Sequence, residues 1–269
     1  MKQNTILELK DVNKHFRDND GDIFKAVEDV SITLAKGECI GIVGESGCGK
    51  STLARIIAHL TEVSQGRIIF KGKDIVKLQG DALKAHYKNV QMIFQSPLDT
   101  FSPRMTIGGY LIEPFVNFKL MNKKKAYEYA QELLDMVGLD KDYIKKYPNE
   151  LSGGQLQRVV IARAIGIKPD IIICDECTSA LDVSIQKQII NLLLALKEKT
   201  DFSNVFITHD LALAESICDR IYVMYQGEIV EMIEGQNIVE EAKHPYTKIL
   251  LSSVFSVKNF ENIGNQRIG

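Results

Sequence analysis

The sequence predicts an α/β fold that combines a parallel sheet, an antiparallel β layer and an inserted helical segment. Between Ile171 and Tyr225, apolar strand patterns alternate with helical patterns, which is typical of a parallel sheet with helical crossovers. Near the start, short strand patterns with alternating apolar residues predict antiparallel strands. Between Gln95 and about Gly166, the apolar positions instead recur every 3.6 residues, which predicts helices.

The part of the chain before Gln95 predicts mostly strands. A polar loop from Arg17 to Asp22 separates the first two of them, and a helix is predicted over Thr52–Leu60. Short apolar runs predict the strands themselves over residues 6–9, 27–34, 39–43, 67–70 and 90–94.

The rest of the chain predicts the helical insert and then the α/β alternation. Helices are predicted over residues 113–118, 123–137, 155–165, 185–197 and 211–218, and strands over 171–174, 205–208 and 221–225. A turn at Gln226-Gly227 leads to residues 228–233 and then to two short helical pieces on either side of His244-Pro245. We expect a single domain over residues 1–269, with a core at about 1–95 and 167–233, a helical subdomain at about 96–166 and a C-terminal tail at about 234–269.

The composition is that of a globular chain with nearly balanced charge. The 33 Lys and Arg residues against 35 Asp and Glu residues argue against a broad basic face for nucleic acid. The start, Met1–Asn4, leads to no apolar signal segment, and no apolar run approaches the roughly 18 residues of a membrane span. We therefore expect the chain to stay in the cytosol.

The five cysteines predict free thiols rather than disulfides. Their number is odd and most lie in apolar segments, as buried thiols in a reducing compartment do. Cys174 and Cys177 form a CxxC pattern that could instead indicate zinc or redox chemistry, although no second pair of ligands accompanies it.

A glycine-rich loop between a predicted strand and a predicted helix carries the strongest chemical signal. Residues 44–51, Gly-Glu-Ser-Gly-Cys-Gly-Lys-Ser, fit the pattern G-x-x-x-x-G-K-[ST], in which backbone N–H groups surround a polyphosphate. Lys50 would reach the β- and γ-phosphates, and the Ser51 hydroxyl would ligate Mg²⁺. A chance glycine loop is the alternative, and the flanking strand and helix disfavour it. The predicted nucleotide contacts here are Gly44, Glu45, Ser46, Gly47, Cys48, Gly49, Lys50, Ser51 and Thr52.

A second motif is the apolar run Ile171–Cys174, which ends in Asp175 and Glu176. The carboxyl end of a strand is where an α/β sheet presents groups to a ligand. Asp175 suits a role at Mg²⁺, and Glu176 could orient and deprotonate an attacking water as general base. The alternative is a strand that merely ends in surface acids.

A third motif, Leu-Ser-Gly-Gly-Gln at residues 151–155, opens a strongly periodic helix. The N–H groups and dipole at that helix start form a second anion site. A chain that binds one nucleotide would thus carry two phosphate sites. This is explained if two subunits form a head-to-tail pair and share two nucleotides, so that the second site of each subunit serves the nucleotide held by the other. In that pair, the nucleotide of the partner subunit would be contacted by Ser152, Gly153, Gly154 and Gln155. The alternative is a helix cap followed by loop glycines.

In these motifs and in their order, the chain resembles the ATP-binding subunits of ABC transporters over nearly its whole length. Residues 44–51 look like the Walker A motif, residues 171–176 like Walker B and residues 151–155 like the signature motif. The resemblance implies a P-loop NTPase core of the RecA-like type that binds ATP with Mg²⁺ and hydrolyses the ATP.

The resemblance also implies roles outside the three motifs. Gln95 looks like the glutamine that contacts Mg²⁺ and water, His209 like the switch histidine at the γ-phosphate, and Asp182 like the aspartate of the D-loop. Phe16 sits where the family stacks an aromatic ring on adenine. The alternative for His209 is a histidine with a purely structural role. The alternative for Phe16 is a side chain that is simply buried in the core or exposed.

Three segments resemble a narrower branch, the importers of peptides and nickel. They are Gln95–Asp99, Ser102–Ile107 and His244–Thr247, and they suggest the second (F or E) type of ATPase subunit. In that branch a head-to-tail heterodimer of related ATPases serves two membrane permease subunits and an external binding protein, which places the chain at the cytoplasmic face of the cell membrane. The resemblance leaves oligopeptide, dipeptide, nickel or a metal chelate open as cargo, and includes no nucleic acid.

Two further classes remain open. One is a soluble ABC ATPase in repair, translation or cluster assembly, and the other is a nucleotide-binding regulator without turnover. Near-neutral charge and the importer-like segments weigh against the first. An effect of a Glu176 substitution on ATP consumption would weigh against the second.

Overall fold

A computed structural model describes residues 4–17, 21–235 and 238–252, with Val239 by its backbone alone. The predicted start at residues 1–3, the middle of the predicted loop Arg17–Asp22 and the tail beyond residue 252 lie outside these ranges. The strands are β1 (Thr5–Arg17), β2 (Ile23–Ala35), β3 (Cys39–Val43), β4 (Gln65–Phe70), β5 (Lys73–Asp74), β6 (Val90–Ile93), β7 (Ile171–Asp175), β8 (Ser203–Thr208), β9 (Arg220–Tyr225) and β10 (Glu228–Glu234). The helices are α1 (Lys50–Ile57), α2 (Gly80–Asn89), α3 (Ile107–Asn117), α4 (Lys123–Met136), α5 (Gly153–Gly166), α6 (Val183–Thr200), α7 (Leu211–Ile217), α8 (Ile238–Glu241) and α9 (residues 245–252).

The chain divides into two compact units. The first comprises Met1–Lys77 and Val205–Gly269, and the second comprises Leu78–Asn204. The division predicted from the sequence, a core at 1–95 and 167–233 around a helical subdomain at 96–166, stays a prediction.

The first unit contains an antiparallel sheet in the order β2-β1-β4-β5, which confirms the predicted β layer. It also contains strands in the order β10-β9-β3-β8, with β8 belonging to this unit from Val205 onward. Strand β3 pairs with β9 in parallel, and all five of its residues are buried. Burial of both faces explains why the β3 sequence is a continuous apolar run rather than an alternating one.

The second unit combines helices α2 to α6 with the parallel pair β6 and β7. Helices α3, α4 and α5 pack against one another around fully buried side chains such as Phe115 and Leu133. At Gly166, the last residue of α5, a Cβ atom would lie 2.6 Å from Leu133 Cδ1 and 2.9 Å from Phe115 Cζ. The absence of a side chain there is what lets the end of α5 approach the other two helices so closely.

The predicted elements are found, with differences in extent and number. Strands β1 and β2 are longer than the predicted runs 6–9 and 27–34, and the two-residue strand β5 was not predicted. Helix α3 begins at Ile107, six residues before the predicted Glu113, because the Thr106 hydroxyl caps it by accepting a hydrogen bond from the Gly109 N–H. Helix α2 was not predicted at all. Among the described residues, none of the helices combines the length and apolar character that crossing a membrane requires.

Candidate functional site

The phosphate loop predicted at residues 44–51 connects β3 to α1 in the first unit. Gly49 stands at the N-cap of α1 with φ +109°, a conformation open essentially to glycine alone. A Cβ atom on Gly49 would lie 2.1 Å from the Ala26 carbonyl oxygen, and one on Gly44 would lie 2.1 Å from the Met224 carbonyl oxygen. The loop therefore needs glycine at both positions to fit between neighbouring backbone segments.

Lys50 is buried inside this loop. Its ammonium donates hydrogen bonds to the carbonyl oxygens of Gly44, at 2.8 Å, and Glu45, at 2.7 Å, and lies 3.7 Å from Cys48 Sγ. These hydrogen bonds offset the free-energy cost of removing the Lys50 ammonium from water. Phosphate oxygens, which carry full negative charge, would replace them as stronger partners.

Cys48 lies within the loop as a buried free thiol. Burial raises the pKa of the Cys48 thiol, although the nearby Lys50 charge acts in the opposite direction. The thiol is therefore neutral at neutral pH and weakly reactive.

A pocket of about 360 Å³ opens beside the loop, within the size range of small-molecule sites. Sequence reasoning missed its other walls, which are Phe24 and Lys25 of β2 and the turn from Tyr225 to Gly227. Phe16 does not line it. The two phenylalanines are register partners across β1 and β2, with 41% of Phe16 and 60% of Phe24 exposed. Extending the predicted hairpin to its tip was the signal that could have found Phe24.

His209 also belongs to the first unit. It is exposed and directly follows β8, the strand next to β3 in the sheet order. The next residue, Asp210, caps α7 by accepting a hydrogen bond from the Leu213 N–H at 3.0 Å.

In the second unit, the predicted acids and Gln95 lie at one edge of the parallel strand pair β6 and β7. Strands β6 and β7 are parallel, with Ile93 paired to Cys174, so Gln95 and the pair Asp175-Glu176 follow neighbouring strand ends. Asp175 is 6% exposed, whereas Gln95 is exposed. The roles predicted for these three residues stay predictions.

Glu176 has an unusual backbone for its residue type. Its φ is +46°, in the left-handed region, which costs about 1–2 kcal/mol for a residue with a Cβ atom. The Glu176 carbonyl accepts two hydrogen bonds from Ser179, one from its N–H at 3.1 Å and one from its hydroxyl at 2.9 Å. Strain of this kind, held in place by local hydrogen bonds, concentrates at functional sites.

The start of α5 is a complete capping box. Ser152 Oγ accepts a hydrogen bond from the Gln155 N–H at 3.3 Å, and Gln155 Oε1 accepts one from the Ser152 N–H at 2.9 Å. Gly153 and Gly154 follow as the first helical residues, whose N–H groups have no acceptor within the helix itself. Ser152 is therefore an N-cap, as the alternative interpretation held. The capping box leaves the N–H groups of Gly153 and Gly154 as two donors at the helix start.

The remaining predicted residues have clear local environments. Asp182 is exposed and caps α6 by accepting a hydrogen bond from the Ile185 N–H at 3.0 Å. Cys174 and Cys177 are buried and form no disulfide bond. Across the ranges that the structure describes, no group of three or more His, Cys, Asp or Glu side chains is arranged to hold a metal ion.

Comparison with known proteins identifies the family. A family profile described as ABC transporter matches residues 27–179. The chain is 44% identical over 274 residues to the oligopeptide transport ATP-binding protein AppF of Bacillus subtilis, covering 99% of this chain and 83% of that protein. It is 43% identical to the oligopeptide transport ATP-binding protein OppF of Escherichia coli, covering 93% of this chain and 77% of that protein.

The structural comparison agrees with the sequence comparison. The ATP-binding cassette MJ0796, solved as a dimer in a post-hydrolysis state with ADP and Pi, superposes with a TM-score of 0.76 at 31% identity. The match covers 85% of this chain and 98% of that one. The chain therefore belongs to the ABC transporter family, and it has the P-loop ATPase fold and the ATP-hydrolysing activity of that family's ATP-binding subunits.

Proposed function

We propose that the chain is the ATP-hydrolysing subunit of a membrane importer of oligopeptides. The observation that carries this proposal is the glycine loop that holds the Lys50 ammonium at the start of α1, where a polyphosphate would bind. The cargo class comes from relatives that are named oligopeptide transport ATP-binding proteins and match almost the whole chain. Nickel or a metal chelate, which the narrower resemblance leaves open, is the second cargo class.

ATP would lie along the phosphate loop, with residues 44–52 contacting its phosphates. For the adenine base we propose both Phe16, from the family resemblance, and Phe24, because Phe24 lines the pocket beside the loop. Aromatic rings bind the flat face of a base by stacking. The two rings belong to register partners on the neighbouring strands β1 and β2.

The residues assigned to Mg²⁺ have the donor chemistry that this ion requires. Mg²⁺ takes oxygen ligands and keeps several waters, so it needs only a few protein oxygens beside those of the substrate phosphates. We propose Ser51, Gln95 and Asp175 as the residues that would hold it, following the family resemblance. When bound, the ion neutralises developing charge on the phosphates.

Hydrolysis would use Glu176 as the base that orients and deprotonates the attacking water. We assign His209 to the γ-phosphate and Gln95 to the water and metal, following the family pattern. In the proposed division near residues 95 and 166, the core carries the loop that binds phosphate and the helical subdomain carries the signature motif.

A complete ATP site would require a second ATPase subunit. In a head-to-tail heterodimer, residues 152–155 and Asp182 of one subunit would face the ATP held by the other. Two permease subunits and an external binding protein would complete the importer, with this chain at the cytoplasmic face of the membrane. Residues 96–118 would receive the permease's cytoplasmic helix.

The first test is hydrolysis by a Glu176→Gln variant. This change removes the base and keeps the side-chain volume, so we expect MgATP hydrolysis to fall by at most about three to four orders of magnitude, with ATP still bound. Glu198→Gln, on an exposed position of α6, is the matched control and should hydrolyse ATP normally. Unchanged hydrolysis in Glu176→Gln would contradict the assignment of the base.

The second test separates transport from the soluble alternative. The tagged chain should copurify from membranes with apolar permease subunits, and peptide-loaded binding protein should stimulate its ATPase activity in vesicles that contain the whole complex. Copurification with nucleic acid or ribosomes instead would favour the soluble ABC ATPase. Stimulation by nickel-loaded but not by peptide-loaded binding protein would favour the second cargo class.

A further inference from the structure

The C-terminal segment, residues 238–252, touches the phosphate loop through one side chain. The Tyr246 hydroxyl accepts a hydrogen bond from the backbone N–H of Glu45 at 2.9 Å, although the two residues are 201 positions apart. Tyr246 is 7% exposed. The contact therefore links a buried tyrosine near the end of the described chain to the second residue of the loop.

This hydrogen bond acts on a peptide unit that Lys50 also holds. The N–H of Glu45 and the C=O of Gly44 belong to one planar peptide group and point in opposite directions. The Gly44 carbonyl accepts a hydrogen bond from Lys50 Nζ at 2.8 Å. One peptide plane at the base of the loop is thus held from both sides, by Lys50 and by Tyr246.

The Tyr246 ring is fixed by its surroundings. It packs against the ring of Tyr225, with the ring centroids 4.2 Å apart, and Tyr225 belongs to the turn that lines the pocket. The Tyr246 N–H donates to His244 Nδ1 at 3.3 Å. The hydroxyl is therefore positioned by packing and by the local backbone, which limits the entropy lost when it holds the loop.

The start of the segment is anchored to β10 by Glu231. Its carboxylate accepts hydrogen bonds from the Lys243 N–H at 2.7 Å and from the His244 N–H at 3.2 Å. Partial burial raises the pKa of Glu231, but the nearby Thr247 hydroxyl and these two N–H groups outweigh that effect and leave its pKa below the ordinary value. Glu231 is therefore a charged acceptor at neutral pH, which makes a strong anchor.

We propose that Tyr246 is a positioning residue for the phosphate loop and couples residues 238–252 to nucleotide binding. This inference rests on the proposed function, because it requires the loop to bind ATP. When the Lys50 ammonium leaves the Gly44 carbonyl for phosphate, Tyr246 remains as the partner that keeps this peptide plane from turning. Because coupling between two sites is reciprocal, bound nucleotide should in turn stabilise the C-terminal segment.

The test is Tyr246→Phe, which removes the hydroxyl and keeps the ring that packs on Tyr225. A hydrogen bond of this kind contributes about 0.5–1.5 kcal/mol, so we expect calorimetry to show MgADP binding about two- to tenfold weaker than in the wild type. MgADP should slow amide hydrogen exchange over residues 245–252 in the wild type, and this protection should shrink in Tyr246→Phe even at saturating MgADP. A merely structural loss would lower thermal stability without changing this ligand-dependent protection.

Two further variants sharpen the test. Tyr129→Phe is the matched control, because it removes a hydroxyl that donates to the Gly166 carbonyl, a hydrogen bond within the second unit. It should bind MgADP normally. Glu231→Ala keeps the Tyr246 hydroxyl but releases its anchor, and it should also reduce the protection of residues 245–252.

Each outcome has a distinct meaning. Wild-type protein that fails to bind MgADP would refute the proposed function and the inference together. Wild-type binding, with Tyr246→Phe equal to wild type in both affinity and exchange protection, would overturn the inference alone. An equal loss of affinity in Tyr129→Phe would also overturn it, since the effect would then not depend on the loop contact.

Discussion

Replacing Gly49 by alanine tests the two reasons why the phosphate loop needs glycine at this position. The first is backbone strain, because φ at residue 49 is +109° and a left-handed conformation costs about 1–2 kcal/mol once a Cβ atom is present. The second is contact, because the new Cβ atom would lie 2.1 Å from the Ala26 carbonyl oxygen. Backbone must move to relieve it, and overpacking of this kind costs about 1–3 kcal/mol.

The sum for Gly49→Ala is a loss of about 2–5 kcal/mol in the free energy of unfolding. At about 2–4 °C per kcal/mol for a chain of this size, the melting temperature should fall by roughly 4–20 °C. Denaturant unfolding of the nucleotide-free protein measures the loss directly. Added MgADP should raise the melting temperature of the wild type much more than that of the variant, because the displaced loop binds phosphate poorly.

Gly47→Ala is the matched control within the same loop. Its φ is +82°, but an added Cβ atom would meet nothing within 4 Å, so it carries the strain without the contact. We expect a loss of only about 1–2 kcal/mol. Equal losses in the two variants would show that the close approach of the Ala26 carbonyl has no energetic weight, and the structural explanation for Gly49 would be wrong.

Two other predictions concern Cys48 and Ser152. A bulky thiol reagent on Cys48 should block ATP binding, and bound ATP should protect the thiol from the reagent. Because burial raises the pKa of Cys48, the labelling rate measured by mass spectrometry should still be rising at pH 8.5 rather than levelling off. Unhindered ATP binding after full labelling would contradict this prediction. Ser152→Ala removes the hydroxyl that caps α5 and should lower the free energy of unfolding by about 0.5–2 kcal/mol in a denaturant titration, whereas Ser152→Asp, which can still accept the Gln155 N–H, should retain most of it.

The sequence predicted the elements whose signal is local. Strands β3 and β7 are continuous apolar runs because they are buried on both faces, and α4 has a clear apolar stripe. Helix α2 could not be found in this way, because His86 is its single buried residue and no stripe forms. Helix α3 was predicted too short, since Gly108 and Gly109 are poor helix formers and the Thr106 cap outweighs them only in the folded chain.

The site was predicted as far as its residues form motifs along the chain. Phe24 could have been found by extending the predicted strand 27–34 toward its start, but its position in the wall of the pocket beside the phosphate loop depends on tertiary packing. Tyr246 belongs to a segment noticed only for its resemblance to importers, and its contact with Glu45 joins residues too distant for any spacing rule. The left-handed backbone of Glu176 is equally invisible in the sequence, because glutamate rarely adopts it.

At residue 176, the left-handed backbone lowers stability, whereas the proposed catalytic role requires the glutamate that is strained there. Glycine at residue 176 would relax the turn after β7, and asparagine would fit it more comfortably than glutamate, yet neither supplies a glutamate carboxylate. If this chain were selected for heat tolerance alone, residue 176 should therefore change to one of these two, and with the role proposed for Glu176 the resulting proteins would be more stable but inactive. The strain at this position is a cost in stability that the proposed role as general base would explain.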